Sequence, residues 1–229
     1  MAKPKYYAVK QGRCPGIYNT WDECKKQTDG YSGAVFKSFA SFEDAEEYLY
    51  GERTDFFEDK NGQFSIFETD KKAKENPKSP VIKEQPEVKN EDKIYIYVDG
   101  SFNNETKKYS YGMVVVKNGH SLEEKNGTGE NQDMAQMRNV AGELIGAIAA
   151  MRYCIDHNIK DVVLCYDYEG IACWPLREWD TTKIGTRAYV DFYDRICPLV
   201  NITFKHIKGH SGNKYNEIAD KLARQALGL

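Results

Sequence analysis

Residues Ile94–Ser101 read IYIYVDGS. Five strand-forming residues in succession, Ile94 to Val98, have the character of a buried strand, and the run stops on Asp99 with a glycine behind it. A core strand that ends by delivering a carboxylate needs a reason. The same pattern returns in KDVVLCYD (160–167), a second apolar strand that ends on Asp167. Between the two, YSYGMVVVKNGH (109–120) reads as another strand, and a polar interval leads to RNVAGELIGAIAAMRYCIDH (138–157). There Leu144, Ile148, Met151 and Ile155 fall at helical spacing on one face, with Glu143 beside that apolar stripe. NEIADKLARQAL (216–227) is a further helix, packing through Ile218, Ala219, Leu222 and Ala226, with Asp220 at the boundary.

Each acid alone has an ordinary explanation: a strand-end Asp serves as a turn residue, and a helical Glu is solvated. Four together read differently. If the two strands are neighbours in one sheet they can set Asp99 and Asp167 side by side, and two helices packed on that sheet can bring Glu143 and Asp220 to the same spot. Such a cluster repels itself unless cations neutralise it. Hard oxygen ligands select Mg²⁺ or Mn²⁺, and two ions roughly 3.5–4 Å apart suit phosphodiester cleavage. His210, in the polar, glycine-containing loop KGHSGNKYNE (208–217), is unlike a core histidine and has a side chain suited to proton transfer near neutral pH.

Composition sets the outer limits. The 229 residues are 41% apolar, enough for a substantial core in one or two domains. No apolar run is long enough to span a bilayer, and the start, MAKPKYYAVKQGR, lacks the apolar core of a secretory signal, so a soluble cytoplasmic protein with no membrane partner is expected. Six cysteines form no CxxC pair and read as reduced thiols. With a formal charge of −3, nucleic-acid binding has to come from local patches.

Thr69–Lys93 holds three prolines, many charges and no aromatic residue, which marks a flexible linker with a reach of roughly 25–30 Å. Glu52–Glu68 stays unassigned: Asn61-Gly62 between aromatic runs is a hairpin signal, but the flanks are acidic. Ahead of it, strands YYAVK (6–10) and GAVFKSF (33–39) alternate with helices that open on Thr20 and Ser41, a ββαβα plan in about fifty residues. Its aromatics Tyr7, Trp21 and Phe36 lie among Lys10, Arg13, Lys25, Lys26 and Lys37. On pattern alone they are either the small core or a surface that stacks on nucleotides.

The stretch KYYAVKQGRCPGIYNTWDECKKQTDGYSGAVFKSF resembles, almost end to end, the hybrid-binding (viroplasmin-like) domain at the N-terminus of many type 1 ribonucleases H. The resemblance implies that Tyr7, Trp21, Phe36 and Lys37 grip an RNA/DNA hybrid; Ser38 stands where relatives often have a second lysine. VDGS, GEL-GAI-A, YD after an apolar strand, and KGHSGNKYNEIADKLA resemble in order and spacing the four signature blocks of the type 1 ribonuclease H domain. That likeness implies Asp99, Glu143, Asp167 and Asp220 as metal ligands, His210 as the mobile histidine, and Asn139 as a nucleic-acid contact.

The expected architecture is thus α/β: a ribonuclease H-like mixed sheet flanked by helices over 93–229, a small α/β hybrid-binding domain over 1–51, and a linker over 52–92 with 52–68 uncertain. The expected activity is hydrolysis of the RNA strand of RNA/DNA hybrids by a monomer using two Mg²⁺ ions, with Mn²⁺ as substitute, leaving 3′-hydroxyl and 5′-phosphate ends. The alternatives are a weak or inactive hybrid-binding protein with the same two folds, or another nuclease or strand-transfer enzyme of the same superfold. Several positions depart from the family pattern. FNNETKKYSYG (102–112) replaces a glycine- and proline-rich loop, Arg138 replaces a small hydroxyl residue, and Tyr168-Glu169 follows Asp167 where a small residue is usual. The interval 171–186 is too short and too mixed in charge for the basic protrusion of some relatives.

Overall fold

The computed structural model describes residues 5–13, 15–50, 56–58, 63–66, 93–209 and 212–229. The first module runs β1 (Tyr6–Gln11), β2 (Gly16–Tyr18), α1 (Trp21–Thr28), β3 (Val35–Phe39) and α2 (Phe42–Tyr50), the ββαβα order expected. Its three strands form an antiparallel sheet with β1 in the middle. Helix α1 starts where it does because Thr20 and Glu23 cap each other. The Glu23 backbone N–H donates to Thr20 Oγ1 (3.3 Å) and the Thr20 N–H donates to Glu23 Oε2 (3.1 Å). Ser41 likewise accepts from the Asp44 N–H at 3.2 Å, at the head of α2.

Strands β4 (Phe56–Glu58) and β5 (Gln63–Ile66) pair antiparallel on either side of Asn61-Gly62, a pair that itself lies outside the described residues, as does the stretch 67–92. The second module then runs β6 (Ile94–Phe102), β7 (Tyr109–Lys117), β8 (His120–Gly129), α3 (Gln132–Ala135), α4 (Asn139–Asp156), β9 (Asp161–Tyr166), α5 (Gly170–Cys173), α6 (Ile184–Ile196), β10 (Asn201–His206) and α7 (Lys214–Ala226). The sheet order is β10-β9-β6-β7-β8-β5-β4, mixed in direction, with β6 in the interior: parallel to β9 and antiparallel to β7.

The interval after residue 119, read from sequence as a polar connection, is the strand β8. Seven of its ten residues are exposed or half-exposed before the buried Gly127, so its side chains carry little apolar pattern. Its signal was the turn. Asn118 (φ 53°) and Gly119 (φ 73°) both occupy the left-handed region that a two-residue hairpin needs. Strand β10 and helix α6 were also unassigned from sequence; α6 buries Tyr189, Phe192, Tyr193 and Ile196 along one face.

Helices α4 and α7 cover opposite faces of the sheet. Ile96, Val98, Tyr111, Met113 and Val115 face the buried stripe of α4, Leu144, Ile148, Met151 and Ile155 among it. Val114 and Val116 face Ala219 of α7, with Ile218 and Leu222 packed at the margin. Alternation therefore turns Asp99 and its register partner Gly112 toward α7. Two glycines fix how near the helices come. A Cβ on Gly112 would lie 1.9 Å from the Ala219 carbonyl oxygen, and one on Gly142 would lie 2.2 Å from that of Ser110. Only bare backbone lets each helix rest on the sheet where it does.

Because the obstructing atom at Gly112 is main chain and cannot swing away, Gly112→Ala is expected to exceed the common overpacking penalty of 1–3 kcal/mol, at about 3 kcal/mol or more. Thermal denaturation should show a markedly lower midpoint for the larger module; an unchanged midpoint would mean that α7 does not rest on β7 this closely.

Candidate active site

The acids that sequence set apart converge. Asp99 lies within β6, which pairs with β7 as far as Phe102 instead of stopping at the acid as the sequence suggested. Asp167 follows β9, Glu143 lies in the first turns of α4 and Asp220 lies on α7, and all four line one pocket with Gly100, Asn139, Val140 and Tyr168. Asp99, Glu143 and Asp167 each present an oxygen such that the three lie within 4.8 Å of one another. Asp220 is near enough to raise the Asp99 carboxyl.

Burial and repulsion govern their charge. Asp99 is 8% exposed, and its carboxyl is pushed up to about 8 by desolvation first, then by Asp167 and Asp220. Glu143, 5% exposed, is pushed well above the carboxylate range by desolvation, then by Asp99 and Asp167. The Gly100 N–H donates to Glu143 Oε1 at 3.0 Å, while Glu143 Oε2 is buried with no hydrogen-bond partner. An acceptor left bare in a cluster of repelling oxygens fits a hard cation, which would supply what no protein donor does.

Asn216 was not read from sequence. Its Nδ2 donates to Asp99 Oδ2 at 3.3 Å, and it lies four residues before Asp220, one turn away on the same helix face. That spacing from a suspected ligand was the available signal. His210 lies outside the described residues. The chain leading to it does reach the site: a Cβ on Gly209 would lie 3.0 Å from Asp167 Oδ2, and His206 Nε2 lies 3.1 Å from the Asp167 carbonyl oxygen.

The departures have structural places as well. Tyr168 forms part of the pocket wall, its ring 5.7 Å from that of Trp174 and 6.4 Å from that of Trp179. A Cβ on Gly170 would strike both the Tyr168 and Trp174 rings, so this glycine is what lets them pack. Arg138, at φ 55°, donates to Asn104 Oδ1 at 2.9 Å and lies over the Phe102 ring, 5.8 Å from its centroid. Asn139, next to it, is exposed at the pocket rim.

On the smaller module Tyr7, Trp21 and Phe36 form one ring patch, with Trp21 5.8 Å from Tyr7 and 5.7 Å from Phe36. Trp21 is 46% and Phe36 41% exposed, which decides between core and surface: they are surface. Lys37 is not among these rings. It follows Phe36 on β3, so its side chain leaves the other side of the strand and lies over Phe39 and Tyr48, near Lys10.

The family described as RNase H matches residues 91–228, well over half of the chain and the whole of the acid cluster. The chain belongs to the RNase H family. A second family, described as the ribonuclease H1 N-terminal domain, matches residues 5–49, which holds the ring patch. The chain is 25% identical over 266 residues to a ribonuclease H of Schizosaccharomyces pombe, covering 97% of each. It is 59% identical over 44 residues to a Saccharomyces cerevisiae ribonuclease H, a match that takes in 19% of this chain and 13% of that one. Among solved structures, the RNase H1 of the archaeon Halobacterium salinarum superposes with a TM-score of 0.52 at 22% identity, over 59% of this chain and 98% of that one, a likeness of fold. The mixed sheet with flanking helices and the small N-terminal domain agree with what the sequence resemblance implied.

One consequence is measurable without substrate. A proton held on Asp99 favours the folded, metal-free protein; this contribution is full below the ordinary carboxylate value of 3.8 and is lost as pH rises through about 8. In a chelator, the melting temperature should therefore fall between pH 4 and 8, Asp99→Asn should flatten that fall, and Mg²⁺ should restore the midpoint at pH 8. A chelated protein whose Asp99→Asn variant melts with the same pH slope as the parent would contradict the assigned repulsion.

Proposed function

We propose that this chain is an endoribonuclease that hydrolyses the RNA strand of an RNA/DNA hybrid and leaves 3′-hydroxyl and 5′-phosphate ends. The observation that carries the reading is the convergence of Asp99, Glu143, Asp167 and Asp220 on one pocket within an RNase H domain. Asp99, Glu143, Asp167 and Asp220 are the residues that would hold divalent cations, which in such sites activate a water and stabilise the leaving oxygen of a phosphodiester. Asn216 holds the Asp99 carboxylate in place, and the Gly100 N–H holds one oxygen of Glu143 while the other stays open to a ligand. Asn139 and Tyr168 form the walls against which the nucleic-acid backbone lies. His210 takes part in proton transfer or product release.

Tyr7, Trp21 and Phe36 bind the hybrid by stacking, with Lys37 and Lys10 as a separate cationic contact on the other side of the strand. Residues 1–51 serve as the hybrid-binding domain and 93–229 as the catalytic domain; of the connection over 52–92, strands β4 and β5 add to the edge of the catalytic domain's sheet. We read the protein as a cytoplasmic monomer that works with two Mg²⁺ ions and accepts Mn²⁺. Among the described residues no helix is long and apolar enough to cross a membrane.

Incubation with an RNA/DNA hybrid, duplex DNA and duplex RNA, each with and without Mg²⁺ or Mn²⁺, tests this directly: only the hybrid with cation should be cut, and only in its RNA strand. Asp99→Asn should abolish cutting while hybrid binding survives. Cation-independent cutting, or full turnover by that variant, would remove the acid cluster from the chemistry; binding without any cutting would favour the inactive alternative. Trp21→Ala should weaken hybrid affinity by about 1–3 kcal/mol for the stacked base it loses, read by fluorescence titration of the Asp99→Asn protein.

A further inference from the structure

The sequence reads as two bodies on a flexible tether, yet the smaller one is seated on the larger. Helix α2 carries Glu43 and Asp44 in its first turn and has no base in its last. Glu46, one turn into α2, is 1% exposed, and its Oε1 lies 2.9 Å from Arg195 Nε on α6. The Arg195 guanidinium lies 5.7 Å from the Phe192 ring centroid, and that of Arg152 from α4 lies 5.8 Å from the same centroid. Two arginines thus flank one ring, and an acid from the other module meets one of them.

Neighbouring charges are mixed in sign. Asp156 keeps a solvent-facing side, but desolvation raises its carboxyl, Glu43 of α2 raises it further and Arg152 opposes them, so α2 and α4 bring these three together. Lys160, also open on one side, is lowered by desolvation while Glu23 of α1 opposes the fall. Acids on α1 and α2 therefore face bases on and after α4 and on α6, while the like-charge approach of Glu43 to Asp156 is opposed by Arg152. Apolar contact accompanies them: Tyr6, Ala8, Ile17, Phe42 and Ala45 belong to the same continuous buried cluster as Ile155, Phe192 and Ile196, and the Tyr6 hydroxyl donates to the Ile155 carbonyl at 3.2 Å.

We infer that the face formed by Arg152, Lys160 and Arg195 is a docking seat for the N-terminal domain, and that the Glu46–Arg195 pair is the latch that keeps the domain on it. The pair joins α2 of one module to α6 of the other beside their shared apolar contact. Apart, both charges regain water; together, reversing either one sets two like charges against each other at a contact closed off from most solvent. Reversing one charge should then release the domain without unfolding it, and the tether keeps the released domain close enough to return. Nothing in this depends on the acid cluster or on hybrid cleavage.

Small-angle scattering of the full chain tests it. The parent protein should give a radius of gyration near the roughly 17 Å of a single compact body of this length, with a small excess from the connecting segment. Glu46→Arg and Arg195→Glu should each raise the radius and lengthen the maximum dimension, while the Glu46→Arg/Arg195→Glu double variant returns both to the parent values. Unchanged circular dichroism in each single variant separates release from unfolding; if one of them loses structure, the other single variant and the double variant still decide. A parent protein as extended as the single variants, single variants as compact as the parent, or a double variant that fails to re-compact would each overturn the latch.

Discussion

Four carboxylates held against their own repulsion are what the larger module is organised around. Desolvation and mutual charge push Asp99 and Glu143 toward protonation, so the cluster exists only because surrounding packing enforces it. The enforcement is steric and local. Gly112 offers no side chain where the Ala219 carbonyl arrives, which sets α7, and with it Asn216 and Asp220, against the strand pair that carries Asp99. Gly142 does the equivalent for α4 and Glu143 on the opposite face. Strain of this kind is tolerated at functional sites because the rest of the core over-determines the geometry.

The parts of this design that were legible in the sequence are those that burial writes twice. Strands β6 and β9 and helix α4 bury long apolar runs, against which Asp99, Asp167 and Glu143 stand out. Strand β8 escaped because it exposes most of its side chains; its partner β7 supplies the hydrogen bonds, and backbone pairing leaves no trace in composition. Asn216 escaped because a polar residue four positions from an acid is common on any helix, and only proximity to Asp99 gives it meaning. The side of β3 on which Lys37 emerges was open to inference from strand alternation, whereas the exposure of Trp21 and Phe36 depends on what the small sheet leaves uncovered.

Two departures from the family pattern turn out to belong together. The loop after β6 lacks the expected glycines and prolines, and Arg138 stands where a small hydroxyl residue is common. In three dimensions Arg138 binds that loop, bonding Asn104 and covering Phe102, from a backbone conformation that a non-glycine residue seldom adopts. The long cationic side chain thus holds the altered loop to the start of α4, beside the pocket. Tyr168 follows the same logic, since its larger ring is accommodated by the bare Gly170 and by Trp174.

The order in which the acids occur along the chain carries a consequence for synthesis. Strand β6 takes β9 as a parallel neighbour from Ile94↔Val162 onward, and Asp220 arrives on α7, the last element described. A polypeptide emerging from the ribosome displays Asp99 and Glu143 long before Asp167 exists, and the ring patch of the first module, built from contacts short in sequence, folds earlier still. A nascent chain therefore gains its exposed ring patch before its acid quartet is whole. The quartet is complete only once α7 has been translated.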